Sequence, residues 1–313
     1  MLDALEADYG LRGIATGPNL SLIRIVRRVF GAKWADRLTD DDVNAYIKKR
    51  KANGAANSTV NNALQKLGSA YRLAKLTPPS WSKLSTKDNV RHGFYSPAEF
   101  RNLLSRLPED LRDFVLFGYL TGWRKGSIAK LRWADVDSED SEINLPGQFT
   151  KNGEPLKMAI EGEIAAVIKR REKARAHEGA VGPVIGIFVF HREGRPVSEF
   201  RKSWDTACIA SGLGIMICPK CKARGAEKRC AKCKIACKYQ GRIFHDLRRT
   251  SARDLIRSGV GESVAMCITG HKTNSMFKRY NITDSADVRK AMQSVARYRE
   301  HQQQKVVQME ASR

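Results

Sequence analysis

The stretch from residue 245 to residue 280 decides the fold: it reads His245-Asp246-Leu247-Arg248, then Gly270-His271, then Tyr280. A second short motif, Thr121-Gly122-Trp123-Arg124, lies well upstream. His245 and Arg248 are three residues apart, so a helix places both side chains on one face. We therefore expect two arginines, two histidines and one tyrosine to meet at a single site.

These side chains suit an attack on a phosphodiester that uses no metal ion. Arg124 and Arg248 would hold the phosphate through paired N–H donors, and His271 would add another donor. Fixed donors of this kind stabilise the charge that develops during the attack. Tyr280 would supply the nucleophilic oxygen. Because a free phenol has a pKa of about 10, it needs nearby positive charge and a base, and His245 is the candidate base.

Residues 142–160 predict two strands and a tight turn. Residues 142–150 and 154–160 each alternate between apolar and polar side chains. Asn152-Gly153 between them is a strong two-residue hairpin signal, because both positions of that turn need positive φ. Lys151 is therefore expected at the tip of a hairpin, where the alternative is an exposed lysine without a chemical role.

With T-G-x-R, a hairpin lysine, H-x-L-R, G-H and a tyrosine nine residues later, all in this order, the chain resembles the tyrosine recombinases of the phage integrase family. The resemblance extends over residues 15–295. It implies a mainly helical α+β fold, with a helical core-binding domain followed by a mixed catalytic domain. That second domain would carry a small antiparallel sheet of the DNA breaking-rejoining type. The catalytic residues implied are Arg124, Lys151, His245, Arg248, His271 and the nucleophile Tyr280.

The activity implied is that of a site-specific DNA recombinase, or integrase. It would cleave and rejoin strands through a 3′-phosphotyrosyl intermediate, and Lys151 would protonate the departing 5′ oxygen. The covalent intermediate conserves the bond energy, so rejoining needs no ATP. Two alternatives remain: a type IB-like DNA topoisomerase and a non-catalytic DNA-binding regulator that keeps the fold. The core-binding region and the short chain argue against the topoisomerase.

The chain departs from the family pattern in two places. The family usually has Glu or Asp three residues after the first arginine, where this chain has Ser127. A cysteine-rich insertion also precedes H-x-L-R. In it, Cys218-x2-Cys221 and Cys230-x2-Cys233 provide four thiolates with the spacing of a structural tetrahedral Zn²⁺ site. Cys237 is a possible substitute ligand, and clustered thiols without metal are the alternative.

The insertion is also strongly basic. Residues 218–242 contain nine Lys or Arg and one Glu. This composition favours contact with phosphate, while a protein contact or simple bracing of a loop are the alternatives. A zinc deaminase is excluded, because the H-x-E partner of its P-C-x-x-C motif is absent. Catalysis itself should need no cofactor.

Composition and charge favour two domains that bind DNA. The chain has 313 residues and a formal net charge of +23, which indicates a polyanionic partner. We expect a core-DNA-binding domain with its linker over residues 1–88, and a catalytic domain over 94–313 that contains a zinc-binding insertion at 217–240. Double-stranded DNA is the expected partner, with a homotetramer on paired sites and a monomer or dimer when free. We expect no signal peptide and no membrane span. The protein should therefore act in the cytoplasm of a prokaryote, where it would be associated with the nucleoid or encoded by a phage or other mobile element.

Several helices are also predicted from apolar spacing and capping signals. Ser96-Pro97-Ala98-Glu99 should begin one with a capping box. Cys208 and Cys267 lie in apolar contexts that predict burial. The predicted helices cover residues 21–30, 40–51 after Thr39, 59–75 after Ser58, 110–120 ending at Gly122, 200–211 and 286–299.

Overall fold

The computed structural model describes residues 1–86, 93–179, 182–277, 288–289, 291–300 and 303. The chain divides into two compact units, Met1–Arg91 and His92–Arg313. Among the described residues, the first unit is helical, whereas the second combines helices with small antiparallel sheets. The mainly helical α+β class predicted from the sequence is confirmed.

The first unit packs its helices around one long central helix. Its helices are α1 (Leu2–Leu11), α2 (Gly17–Phe30), α3 (Asp40–Ala52) and α4 (Asn57–Leu73). Helix α4 buries Val60, Leu64 and Leu67 almost completely, at the three- and four-residue spacing of one helix face. The hydroxyl of Tyr71 donates to the carbonyl of Ala35 at 2.6 Å, which satisfies a polar group at the edge of this core.

The predicted helices of the first unit are confirmed with small shifts at their ends. Helix α2 stops before Gly31 as expected but begins earlier, and α3 begins after Thr39 with a complete capping box. Helix α4 begins at Asn57 with Ala56 at its N-cap, so Ser58 is not the cap. Helix α1 was not predicted from the sequence.

Among the described residues, most of the helices lie in the second unit. They are α5 (Pro97–Arg106), α6 (Glu109–Thr121), α7 (Lys125–Ala129), α8 (Gly162–Lys173), α9 (Arg201–Ala210), α10 (His245–Arg257), α11 (Glu262–Thr269) and α12 (Asn274–Phe277). The Ser96 capping box is confirmed: the Glu99 N–H donates to Ser96 Oγ at 3.2 Å, and the Ser96 N–H donates to Glu99 Oε2 at 2.7 Å. Of the predicted helix at 286–299, residues 288–289 and 291–299 are described and helical.

The strands of the second unit form four small antiparallel sheets among the described residues. They are β1 (Val136–Asp137), β2 (Glu142–Leu145), β3 (Leu156–Ala159), β4 (Ala176–Gly179), β5 (Gly182–Ile185), β6 (His191–Arg192), β7 (Arg195–Pro196), β8 (Gly214–Ile217), β9 (Arg224–Gly225) and β10 (Lys238–Gly241). The two three-stranded sheets have the orders β1-β2-β3 and β10-β8-β9. In the first of these, Ile143 pairs with Met158 and Leu145 with Leu156, and the same face is buried on both strands.

The two-residue turn predicted at Asn152-Gly153 is wrong. Strand β2 ends at Leu145 and β3 begins at Leu156, so a ten-residue loop joins them. Gly153 has a φ of +77°, but Asn152 does not have the positive φ that the predicted turn needs. Pro146 and Pro155 flank the strands and lack the N–H that would extend the ladder. Within the loop, Thr150 Oγ1 lies 2.9 Å from the carbonyl of Gly147 and folds the loop onto itself.

Of the two cysteines predicted to be buried, one is buried and the other is exposed. Cys208 is buried on α9, whereas Cys267 is exposed on α11, so the expectation for Cys267 is wrong. Helix α11 directs Ala265 and Thr269 inward and presents Cys267 on its other side. The apolar pattern therefore predicts this helix correctly, but it does not predict which side of the helix carries the thiol.

Candidate active site and cysteine cluster

The abrupt end of helix α6 positions Arg124. Gly122 ends that helix in the left-handed region, with a φ of +66°, and a Cβ there would lie 2.9 Å from Ser251 Oγ. Trp123 is almost fully buried and donates from its indole to the carbonyl of Ile268 at 2.9 Å. The half-buried Arg124 follows as the N-cap of α7, and its Nη1 donates to the carbonyl of Gly270 at 3.3 Å.

Arg248 is a deeply buried charge of the site, and only 1% of the residue is exposed. Its Nη1 donates to the carbonyls of Gly122, at 2.8 Å, and Thr269. Its Nη2 donates to the carbonyl of Gly270 at 3.1 Å, and its Nε donates to His271 Nε2 at 3.2 Å. Four of the five N–H donors of a guanidinium are thus held by groups from two distant segments.

His271 is buried and neutral. Because Nε2 accepts from Arg248, the ring proton lies on Nδ1, which donates to Thr269 Oγ1 at 2.6 Å, and that hydroxyl donates on to the carbonyl of Ala265. Burial, followed by the charges of Arg248 and Arg124, lowers the pKa of His271 to about 3. The ring is therefore an acceptor toward Arg248 at neutral pH.

His245 is the first residue of α10, and its side chain is exposed at the surface. Desolvation by surrounding atoms, followed by the charge of Arg248, lowers the pKa of its imidazole to about 4. Its exposure lets water screen part of this effect, so we expect a smaller shift than at His271. A neutral imidazole at the surface is able to accept a proton, which a base requires.

The start of α10 is fixed by Asp246, which lies between the two predicted site residues. Its carboxylate is fully buried, and Oδ2 accepts from the Ile243 N–H at 2.9 Å. Arg249 Nε lies 3.8 Å from the other carboxylate oxygen. A carboxylate in the first turn of a helix also interacts favourably with the helix dipole. His245 and Arg248 are therefore presented from a firmly anchored helix end.

Lys151 lies exposed in the loop between β2 and β3, and it makes no hydrogen bond or ion pair with any other described residue. The loop itself approaches the segment of His271: Lys272 Nζ lies 3.4 Å from Glu154 Oε1. Where β3 begins, the side chain of Leu156 fills the space that a Cβ on Gly270 would need. The loop that carries Lys151 is therefore attached beside the arginine and histidine cluster.

Tyr280 lies outside the described residues. The nearest described side chain before it in the sequence is Phe277, which ends α12 and is fully buried. Its ring meets His271 edge to face, with centroids 5.3 Å apart. The structure therefore brings together Arg124, His245, Arg248 and His271, with the Lys151 loop beside them.

Two contributors were not identified from the sequence. Thr269 binds His271 through its hydroxyl and Arg248 through its carbonyl, and Asp246 anchors the start of α10. The position of Thr269, directly before Gly270-His271, could have identified Thr269 as part of the site. An acidic residue in the first turn of a helix was a signal for the second.

Ser127, which stands where the family usually has an acid, is buried on α7. Its N–H donates to the carbonyl of Arg124 at 2.9 Å. Arg124 has no ion pair with any carboxylate in the described part of the chain. Its contact with the carbonyl of Gly270 stands in place of such a pair.

The four predicted zinc ligands converge. The sulfur atoms of Cys218, Cys221, Cys230 and Cys233 all lie within 4.8 Å of one another, and those of Cys221 and Cys230 are 3.6 Å apart. Four sulfurs at the Zn–S distance of about 2.3 Å from one ion would be separated by about 3.8 Å. Cys237 is not a member of this group. The donor set and its spacing fit one tetrahedral zinc ion.

The local backbone also resembles a metal knuckle, and it occurs twice. The Cys221 N–H points at Cys218 Sγ at 3.5 Å, and the Cys233 N–H points at Cys230 Sγ at 3.4 Å. The N–H groups of Cys221 and Lys220 help to lower the pKa of the Cys218 thiol to about 6. The hydrogen bond with Cys221, followed by desolvation, raises the pKa of Cys233 to about 12, so Cys218 ionises before Cys233. The thiolate is the form that binds metal.

Comparison with known proteins identifies the family of this chain. Residues 96–286 match the family model described as "Phage integrase family". The integrase of Escherichia phage HK022 is 24% identical over 294 residues, which cover 89% of this chain and 74% of that integrase. The ICEBs1 integrase of Bacillus subtilis is 26% identical over 161 residues, or 44% of each protein, so the match spans less than half of that relative.

Solved structures show the same fold. A lambda integrase tetramer bound to a Holliday junction superposes with a TM-score of 0.68 and 18% identity, covering 90% of this chain and 76% of that chain. The Tn1549 transposon integrase bound to transposon end DNA gives a TM-score of 0.67 at 16% identity, covering 94% and 99%. The fold and the family match define a site-specific recombinase, an enzyme that breaks and rejoins DNA. The chain belongs to the phage integrase family.

Proposed function

We propose that this recombinase cleaves DNA by attack of the Tyr280 hydroxyl on a phosphate held by Arg124 and Arg248. The observation that supports the proposal most is the meeting of both arginines at the carbonyl of Gly270, although 124 residues of sequence separate them. Two guanidinium groups fixed side by side match the oxygens of one phosphate.

The proposed chemistry is balanced by two proton transfers. The Tyr280 oxygen forms a bond to phosphorus while its proton passes to His245, whose lowered pKa keeps the ring neutral beforehand. The bond from phosphorus to the 5′ oxygen breaks, and Lys151 protonates the leaving oxygen. The product is a 3′-phosphotyrosyl link and a free 5′ hydroxyl. Reversal of the same steps by another strand rejoins the DNA without ATP.

A suicide substrate tests this mechanism. The substrate is a duplex that carries the attachment site, nicked close to the cleavage position so that the cleaved end diffuses away. The parent protein should accumulate a covalent adduct, and Tyr280→Phe should bind the duplex but form none. Tyr298→Phe is the matched control, because Tyr298 is exposed on the C-terminal helix. An adduct that persists in Tyr280→Phe would refute the assignment.

The adduct assay, together with assays of supercoil relaxation and of strand exchange, separates the two alternative functions. A non-catalytic regulator forms no adduct with any duplex. A type IB-like topoisomerase relaxes supercoiled DNA without a requirement for the attachment site. A recombinase forms the adduct on the attachment site and exchanges strands between two copies of it.

We further propose that residues 1–88 are a core-DNA-binding domain with its linker and that 94–313 form the catalytic domain. Lys48, Lys49 and Lys51 are exposed on α3, where they would follow the phosphate backbone. The relatives include a lambda integrase tetramer on a Holliday junction and a dimer on a core site. We propose a tetramer on paired sites for this protein, and size determination on synaptic complexes tests this proposal.

No helix in the described part of the chain is both long and apolar enough to cross a bilayer. A DNA substrate and reduced thiols support action in the cytoplasm of a prokaryote.

We also propose that Cys218, Cys221, Cys230 and Cys233 hold one structural zinc ion. Metal analysis of protein purified under reducing conditions should find one zinc per chain. Cys221→Ser should lose the metal, whereas Cys267→Ser, which removes an exposed thiol on α11, should retain it. Zinc-free parent protein would refute the proposal.

A further inference from the structure

The cysteine module, residues 217–240, presents one short motif twice. The sequence reads Cys-Pro-Lys-Cys-Lys at 218–222 and Cys-Ala-Lys-Cys-Lys at 230–234. The final lysines, Lys222 and Lys234, both adopt positive φ, at 60° and 55°. In each copy the N–H of this lysine donates to the carbonyl of the first cysteine, at 3.0 and 2.8 Å. The two copies are therefore the same local structure, and each displays two lysines.

The positive charge on this module is concentrated, and Asp205 of α9 offsets part of the charge of Lys228. Eight of its residues are Lys or Arg and one, Glu227, is acidic, so its side chains carry +7 before the thiolates are considered. A Zn²⁺ ion with four thiolates adds −2, which leaves +5. All eight basic side chains are exposed, and none forms an ion pair with a described residue. Lys222 Nζ turns back to the carbonyl of Pro219, which is a neutral partner.

Strand pairing and hydrogen bonds anchor the module close to the active site. Strand β10 pairs with β8 from Lys238 to Gly241, and the next carbonyl, that of Arg242, accepts from Trp204 Nε1 at 3.0 Å and from the Tyr239 hydroxyl at 2.8 Å. His245 follows three residues later. His245 lies eight positions after Cys237, so at most about 29 Å of chain lies between them. That length corresponds to about eight base pairs of duplex.

From this juxtaposition we propose that the cysteine module is a second DNA contact, which grips the phosphate backbone of the duplex flanking the cleaved position. The lysines of the two repeated knuckles provide the contact. Because they are point charges on flexible stems, they bind phosphate without reading sequence. The proposal rests on the proposed zinc site, since the metal holds the two knuckles in place.

Salt-dependent binding of a DNA duplex of arbitrary sequence tests the contact. The probe is a fluorescent 40-bp duplex, and its dissociation constant is measured from low to high salt by anisotropy. The test variant replaces the four knuckle lysines by glutamine: Lys220→Gln, Lys222→Gln, Lys232→Gln and Lys234→Gln. The matched control removes four exposed charges from α5 and α8: Arg101→Gln, Arg106→Gln, Lys169→Gln and Lys173→Gln.

The slope of log Kd against log salt should fall by about 0.9 for each phosphate that the variant no longer neutralises. Two such phosphates give a change of about 1.8, which is about 60-fold in affinity at 0.1 M salt relative to 1 M. The control should change less. An equal change in both variants, or no change in the test variant, overturns the proposal. If the test variant loses binding to polyglutamate while its slope of log Kd against log salt on DNA is unchanged, the proposal is also overturned. That result would mean that the lysines bind an acidic protein.

Zinc analysis and a thermal unfolding curve on the same samples separate this proposal from that of the metal site. The test variant should keep its zinc and its unfolding temperature. If zinc is present and the DNA slope is unchanged, only the DNA contact fails. If the parent lacks zinc, the metal site fails, while the slope still reports on the lysines.

Discussion

Replacing Arg248 by lysine should damage the fold as well as the reaction. The guanidinium donates to three carbonyls and to His271 from a position that is 1% exposed. The two carbonyls that share Nη1, those of Gly122 and Thr269, are close enough for one ammonium to reach. The carbonyl of Gly270 and the Nε2 of His271 then lose their donor. At about 1.5–3 kcal/mol for each of these two hydrogen bonds from a charged donor, we expect Arg248→Lys to lose about 3–6 kcal/mol of stability.

Arg124→Lys is the matched comparison for this prediction. Arg124 is half-buried and makes one long hydrogen bond, at 3.3 Å, so its replacement should cost less than about 1 kcal/mol. Both variants, however, lose a fixed donor to the phosphate. Each should therefore cleave about 100- to 1000-fold more slowly than the parent.

Two measurements on the full chain decide the matter. Urea unfolding followed by tryptophan fluorescence and circular dichroism gives the stability change, and single-turnover cleavage of the suicide substrate gives the rate. The two variants should differ in stability and agree in their loss of cleavage. If Arg248→Lys unfolds within about 0.5 kcal/mol of the parent, the hydrogen bonds of Arg248 do not hold these segments together.

Two further predictions concern His271 and Lys151. Because the pKa of His271 is about 3 in the folded state and 6.5 for an unperturbed histidine, the unfolded chain takes up a proton first as pH falls. His271 thus contributes no pH dependence well above pH 6.5 and costs stability from there toward pH 3. The parent should lose about 2 kcal/mol more than His271→Gln between pH 7.5 and 5.0 in urea unfolding, and equal losses would contradict the assignment. Lys151→Ala should leave stability unchanged, since the side chain is exposed, but should slow cleavage about 100-fold or more. A substrate with sulfur in place of the bridging 5′ oxygen should restore its cleavage, because a thiolate leaves without a proton, and a failure to restore it would remove Lys151 from the role of acid.

The parts of this fold that the sequence predicts well are those fixed by neighbouring residues. The capping box at Ser96 and Glu99 and the helix end at Gly122 depend on side chains and dihedral angles within a few positions. The spacing of His245 and Arg248 likewise depends on one helix. The four cysteines meet because two short knuckles each fix a pair of them.

What the sequence did not predict depends on distant partners. The Asn152-Gly153 signal is local and strong, but the flanking prolines and the contact between Gly147 and Gly153 replace the tight turn by a longer loop. The partners of Arg248 are main-chain carbonyls, and every residue type has one, so composition gives no sign of them. The exposure of Cys267 depends on the rotation of α11 against the core, which the apolar pattern of that helix leaves open.

The carbonyl of Gly270 explains how Arg124 is held although Ser127 replaces the usual acid. A carboxylate beside an arginine holds it but cancels much of its charge, whereas a carbonyl supplies only a partial charge. Arg124, which has no carboxylate partner in the described part of the chain, therefore retains its positive charge for a phosphate. This carbonyl also accepts from Arg248, and its residue adopts a φ of +68° against Leu156 at the start of β3. The strand after the Lys151 loop thus supports the acceptor that both arginines share.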